Sequence, residues 1–326
     1  MPDISTEYMG LKLKSPVIAA SSTLTRDIDG LKKAEEAGAG AVILKSLFEE
    51  EIRQESGLDA DMAFHTEAYD YMAADAAMVY GAGDYLELVR KAVASVSVPV
   101  IASVNCEGGK WWTEYAKSIE DAGAHGLELN ISFLPFDSGI SSQEAESRYF
   151  EVVYEVTRAV RIPVAVKIGQ GITAVPYMAR RLHSTGAKGL TLFNRYYQMK
   201  INTETLELEP VHHFSTEDEA YNVIRWVAAV SRESAIDISA STGVHSADVA
   251  IQYILAGAAT VQTASMMYKK GYSAISELNK GIAEWLDRKE MSLDEARGLI
   301  LRKKIRQFHT LERVQYINIA NGSIIK

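Results

Sequence analysis

The chain has 326 residues, 47% of them hydrophobic and 24% charged, with a net charge of −9. This is ordinary globular composition, and the acidic balance argues against a partner that is nucleic acid or an anionic membrane. A single cysteine, Cys106, excludes a disulfide framework and a thiolate metal cluster.

The amino terminus "MPDISTEYMG" is polar, with no basic stretch leading into an apolar core, so no signal peptide is expected. No apolar run approaches about 18 residues, so no transmembrane helix is expected either. The expectation is a cytoplasmic protein acting on a small molecule.

From the amino terminus onward, one unit recurs: amphipathic helix, small-residue turn, short apolar strand. The first strand is "PVIAAS" from Pro16. Residues 36–40 (EAGAG) lead into "AVILKS", and "PVIASVN" starts at Pro99. Residues 121–126 (DAGAHG) precede "LELNIS", "PVAVKIG" starts at Pro163, and residues 184–189 (STGAKG) precede "LTLFNR". "DISASTG" starts at Asp237, and residues 256–259 (AGAA) precede "TVQTAS". Continuous apolar runs suit parallel strands buried on both faces. Glycine suits the left-handed residue that ends a helix, and proline is tolerated at a first strand position.

Eight such units, starting near residues 16, 41, 99, 126, 163, 189, 237 and 260, predict an α/β fold, the (β/α)₈ TIM barrel. An open doubly wound sheet is the rival, but no G-x-G-x-x-G follows any strand. One domain is expected over 1–326, with the barrel at about 8–290 and a C-terminal helical tail over 291–326. Two long connections, 48–84 after strand two and 196–219 after strand six, fall on the C-terminal face, where barrel active sites lie.

The strand ends carry polar or small residues: Ala20, Ser21 and Ser22; Lys45 and Ser46; Asn105 and Cys106; Asn130 and Ser132; Lys167; Asn194 and Arg195; Ser241, Thr242 and Gly243; Ala264 and Ser265. One such residue is more often a hydrogen-bonded cap; the set of eight ends is the signal. Lys45 and Lys167 arise inside apolar strands, where an ammonium is costly unless paired or used. They could snorkel, form a Schiff base, or face an electron-rich ring such as a reduced flavin. The turns after strands seven and eight could be simple caps or the usual phosphate cradle of this fold.

In this order and spacing, "SPVIAASS", "GAVILKS", "VPVIASVN", "GLELNIS", "IPVAVKIG", "LTLFNR", "ISASTGV" and "GAATVQTAS" resemble the dihydroorotate dehydrogenase family over about Tyr8 to Lys270. The resemblance implies an FMN-dependent barrel oxidoreductase. It implies that Ala20, Ser21 and Ser22 lie along the flavin, with Lys45 and Ser46 near flavin and substrate. Asn105, Asn130 and Lys167 join the cofactor set, Lys167 near flavin N1 and O2. Asn194 binds substrate, and Ser241, Thr242, Gly243, Ala264 and Ser265 hold the phosphate. Lys45, Asn130, Lys167 and Asn194 are the expected catalytic residues, and a homodimer is the expected assembly. No metal is expected.

The departures are as specific. The family's N-L-S-C-P-N motif supplies a cysteine or serine base; here that position is Phe133, and Pro-Asn has become Leu134-Pro135. The family's N-x-M-G-L-x-N loop is replaced by "FHTEAYDYMAADAA", and Arg195 stands where serine or threonine is usual. Ser132 matches the motif's own serine, and Cys106 could face the pocket, although such a cysteine is more often a small buried residue. His65, Glu67, Tyr69 and Tyr71, with Tyr196 and Tyr197, are further candidates for the missing proton carrier; His212-His213 lacks an evident third metal ligand. Dihydroorotate is the nominal substrate. The alternatives are a Schiff-base aldolase using Lys45 or Lys167, and an FMN-binding protein without turnover.

Overall fold

A computed structural model describes residues 2–49, 81–106, 112–133, 135–195, 198–211 and 214–303. The chain opens with an antiparallel hairpin of β1 (Thr6–Tyr8) and β2 (Leu11–Leu13). Met9 and Gly10, both at positive φ, make its turn.

The barrel strands follow: β3 (Val17–Ala19), β4 (Ala41–Ile43) with a short continuation β5 (Leu47–Phe48), β6 (Val100–Cys106), β7 (Gly126–Ile131), β8 (Val164–Gly169) and β9 (Gly189–Asn194). After a hairpin of β10 (Gln198–Ile201) and β11 (Leu208–Val211) come β12 (Asp237–Ala240) and β13 (Thr260–Thr263). The sheet runs β4-β3-β13-β12-β9-β8-β7-β6 and closes through β4–β6 pairing. Every barrel pairing is parallel. The expected eight-stranded (β/α)₈ barrel is thus present, each strand beginning within one residue of its predicted start.

Helices α1 (Ile28–Glu36), α2 (Ala82–Ser95), α3 (Trp112–Asp121), α4 (Ser142–Ala159), α5 (Val175–Ser184), α6 (Glu219–Glu233) and α7 (Ala247–Ala256) alternate with the strands; α8 (Ser265–Lys270) and α9 (Ser273–Lys289) follow β13. Their starts are fixed by local chemistry. Asp27 accepts from Gly30 N at 2.9 Å to cap α1. Ser141 and Glu144 form a reciprocal capping box at α4.

Strand alternation divides the interior in two. Leu127, Leu129 and Ile131 of β7 pack with the helices in the main core, so Glu128 and Asn130 take the axial face. At the N-terminal end, Tyr8, Met9 and Leu13 form a separate buried cluster with Ile18, Ile43, Ile101 and Ala165. The hairpin therefore plugs the barrel floor. A side chain at Gly189 would come within 2.6 Å of the Tyr8 hydroxyl, which requires glycine there. Met9 N donates to Asp237 Oδ2 at 2.7 Å, which ties the plug to the start of β12.

The connection after strand six holds the β10–β11 hairpin. The tail has two short helices, Leu293–Ala296 and Leu299–Lys303; residues 304–326 and most of the expected loop after strand two lie outside the described residues. Among the described residues no helix is long and apolar enough to cross a membrane.

Candidate functional site

Strand two leaves the barrel ladder just where its polar residues begin. Leu44 N still bonds Ile101 O at 2.9 Å, but Lys45 N turns to Thr25 O at 3.3 Å. Ser46 N then donates to Ser21 Oγ at 3.0 Å, and pairing resumes at Leu47↔Val104. Ser103 of β6 faces this gap. Its N–H donates to Tyr85 Oη and its carbonyl accepts from the same hydroxyl, each at 2.8 Å. The fully buried Tyr85 phenol thus replaces the missing strand. The detour aligns three hydroxyls, with Ser21–Ser46 at 3.0 Å and Ser46–Ser103 at 2.8 Å. The Lys45 ammonium lies 5.9 Å from the Phe48 ring centre.

On the next strands, Asn105, Asn130 and Lys167 pair in direct register, so one level of the axial face carries two amides and an ammonium. Asn130 is nearly buried, and its Oδ1 has no partner among the described residues. The same holds for the Ser22 hydroxyl. Lys167 is half-buried and has no hydrogen bond or ion pair among them. Buried polar atoms without partners are costly in a finished structure, so this level fits a polar, electron-rich ring.

Asn194 ends β9, half-buried. Its neighbour Arg195 donates from Nε to Glu219 Oε2 at 2.8 Å. Burial alone would raise the Glu219 carboxyl, but Arg195 and the Thr216 N–H hold it below the usual carboxylate range. After β12, Thr242 and Gly243 take φ of 76° and 73°. Tyr253 braces this turn by donating to Thr242 O at 2.7 Å. A Cβ on Gly243 would sit 2.7 Å from Ala220 N, so α6 leaves no room for a side chain. Such a tight small-residue turn leaves backbone N–H groups open to an anion, and it fits a phosphate.

A strap crosses this end of the barrel. Ser215 N donates to Ser265 Oγ at 3.1 Å, Ser215 Oγ lies 2.9 Å from His245 Nε2, and Lys269 Nζ donates to Ser215 O at 3.1 Å. Phe214 stacks on Tyr268 at 5.1 Å, and Tyr268 Oη accepts from Thr23 N at 2.9 Å. Burial, with Lys269 next in effect, holds His245 below its ordinary value. Ala264 joins through Ala20 N→Thr263 O at 3.1 Å, beside it.

The fourteen expected site residues therefore all lie at the C-terminal mouth. Cys106 does not face the pocket. It is fully buried in the helix-facing core, on the opposite face of β6 from Asn105, because strand alternation permits only one of the two to point inward. Phe133 is half-buried and lies 4.0 Å below the Arg148 guanidinium of α4. Ser132 N bonds Cys106 O at 3.1 Å, and its hydroxyl has no titratable partner among the described residues. His65, Glu67, Tyr69, Tyr71, Leu134, Tyr196, Tyr197, His212 and His213 lie outside the described residues. Among those described, no three His, Cys, Asp or Glu side chains could hold a metal. Sequence reasoning passed over Tyr85, the strap and Glu128; the last was visible as a carboxylate in an apolar strand, "GLELNI".

Closed parallel barrel, polar strand ends and small-residue turns after the last two strands define a (β/α)₈ barrel of the enzyme class, with the candidate site at the C-terminal mouth. The family profile described as Dihydroorotate dehydrogenase matches residues 3–286. The chain belongs to the dihydroorotate dehydrogenase family, whose proteins are FMN-dependent oxidoreductases acting on CH–CH groups. It is 28% identical over 297 residues to an Aeropyrum pernix protein provisionally named dihydroorotate dehydrogenase A (fumarate), covering 87% of this chain and 93% of that one. It is 26% identical over 309 residues to the catalytic subunit of dihydroorotate dehydrogenase B (NAD(+)) of Methanocaldococcus jannaschii, covering 91% and 97%. The subunit of the same name from Methanocella arvoryzae is 28% identical over 317 residues, covering 89% and 95%.

Proposed function

We propose that this protein keeps the flavin chemistry of its family and has lost efficient oxidation of dihydroorotate. Bound FMN supplies hydride transfer between its N5 and a carbon of an unsaturated or dihydro substrate. Lys167 offsets negative charge at the ring, Asn130 and Asn105 orient its polar edge, and Ser21, Ser22, Lys45 and Ser46 line its other side. Ser241, Thr242, Gly243, Ala264 and Ser265 hold the phosphate, and Asn194 orients the substrate. The observation that carries this reading is the register of Asn105, Asn130 and Lys167, with Asn130 Oδ1 and the Lys167 ammonium both lacking a partner among the described residues.

The case against dihydroorotate rests on residue 133. Its oxidation pairs loss of a hydride with loss of one proton, which needs a base, and a phenyl ring cannot accept a proton. The stacking of Arg148 on that ring supports a settled apolar–cationic surface at this position. The protein acts as one domain, as a cytoplasmic homodimer, with a soluble oxidant such as fumarate or a partner protein as electron acceptor.

Anaerobic mixing of the purified FMN-loaded protein with dihydroorotate tests this. The expected result is a stable flavin band without bleaching. Full bleaching within seconds would refute the loss of dihydroorotate oxidation, and a purified protein without FMN would refute the cofactor assignment.

A further inference from the structure

The axial face of β7 carries a second polar residue below the pocket. Glu128 lies two residues before Asn130 on the same face, one pleat or about 7 Å deeper along the strand. It is 1% exposed. Its Oε2 accepts from Thr191 Oγ1 at 2.8 Å and from Gln262 Nε2 at 2.9 Å. Gln262 Nε2 also reaches Thr191 Oγ1 at 3.0 Å. The second carboxylate oxygen has no partner among the described residues, and neither has Gln262 Oε1.

The layer around it is unusual for this fold. Barrel interiors are filled mainly by bulky branched side chains. Here Ser103, Glu128, Thr191, Ser239 and Gln262 are all buried, and so is Thr260, one pleat from Gln262 on the same strand. Such a layer holds a carboxylate whose field is only partly offset by two neutral donors, Thr191 and Gln262, and fields reach furthest where water is excluded. The layer also connects directly to the pocket level. Thr191, which donates to Glu128, pairs in register with Lys167, and Lys167 pairs with Asn130. Glu128 therefore sits beneath the ammonium and amide that meet the electron-rich ring in the reading above.

We infer that Glu128 is a positioning residue for the flavin site, a buried counter-charge that balances Lys167 and sets the reduction potential of the bound FMN. The inference rests on the proposed placement of FMN over Asn130 and Lys167. Reduction adds negative charge to the flavin, which Lys167 favours and Glu128 opposes. The carboxylate does not touch the substrate, so it tunes how readily the flavin is reduced and leaves the proton chemistry to the groups above it.

The test is potentiometry on the full-length FMN-loaded protein, with Glu128→Gln beside Glu128→Asp. Glu128→Gln keeps acceptors for Thr191 and Gln262 and removes the charge. Its potential rises by at least roughly 30 mV, a tenfold change for a two-electron couple. Bleaching of its flavin band by sulfite occurs at about tenfold lower sulfite. Glu128→Asp keeps the charge and stays close to the wild type in both readouts. A merely structural role would lower FMN content or thermal stability without this signed shift. An unmoved or lowered potential in Glu128→Gln overturns the inference while leaving FMN binding intact. If Glu128→Gln does not fold, Thr191→Val carries the test. It removes one dipole that offsets the carboxylate, so the potential falls; an unmoved or raised value overturns the inference. A wild-type protein that holds no flavin overturns both readings together.

Discussion

Tyr85→Phe isolates one hydroxyl whose surroundings allow its contribution to be worked out. The phenol oxygen accepts from Ser103 N and donates to Ser103 O, each at 2.8 Å, and the side chain has no solvent contact. The phenylalanine variant keeps the ring and strands both backbone groups in the gap where β4 has left the ladder. An unsatisfied buried group costs about 1–3 kcal/mol, so the pair costs roughly 2–6 kcal/mol. Unfolding entropy near 2.1 cal/mol/K per residue, applied to 326 residues, converts each kcal/mol to about 1.5 °C. The expected fall in Tm by calorimetry is therefore about 3–9 °C. Tyr154→Phe is the control. Its hydroxyl accepts from Arg158 Nη1 at 2.6 Å on an exposed surface, and the expected loss is under about 1 °C, in line with weak surface pairs. A fall below about 1 °C in Tyr85→Phe would refute the reasoning. It would mean that the ladder closes across the gap, or that a water takes the place of the hydroxyl.

Other consequences are open to direct measurement. Gly243→Ala places a Cβ 2.7 Å from Ala220 N at a φ of 73°, so FMN retention on gel filtration falls at least about tenfold. The strap responds to pH through His245, whose folded-state pKa lies below the ordinary 6.5 because of burial and Lys269. The unfolded chain then takes up the proton first as pH falls. Stability is present above about pH 6.5 and is lost as pH drops toward the folded value; a Tm series from pH 7.5 to 5.5 is steeper in the wild type than in His245→Gln. Glu219 has the same sign in a lower window, its stability present above the ordinary 4.5 and lost as pH falls through the depressed value, so Arg195→Ala flattens the acid limb near pH 4. Arg148→Ala removes a contact worth about 0.5–1 kcal/mol at an exposed site, visible as a change in aromatic ring signals of Phe133.

What could be read from the sequence, and what could not, divides along the range of the forces involved. The strands were legible because burial on both faces leaves an apolar run in the sequence itself, and the turns because left-handed positions select glycine. Strand-end residues such as Asn130 and Lys167 followed from those boundaries, since an apolar strand that ends on a polar side chain places it at the barrel mouth. Cys106 stayed open between the pocket and a small buried core position for a one-residue reason: Asn105 and Cys106 are adjacent, and the structure settles the second, with Cys106 in the helix-facing core and Asn105 paired to Asn130. Tyr85 was out of reach, because its role depends on a gap between two strands far apart in the chain. Glu128 was in reach, as a carboxylate in a run where burial makes charge costly, yet its partners Thr191 and Gln262 come from strands 63 and 134 residues away. Phe133 falls between these cases. Its identity already showed that the position carries no base. Only the structure adds that Arg148, 15 positions later on α4, has taken the ring as a partner, so restoring a cysteine there removes a cation–π contact as well as adding a thiol. The phenyl ring at 133 is thus built into the packing of the loop, and on the proposed reading a single substitution to cysteine reverses only half of the change.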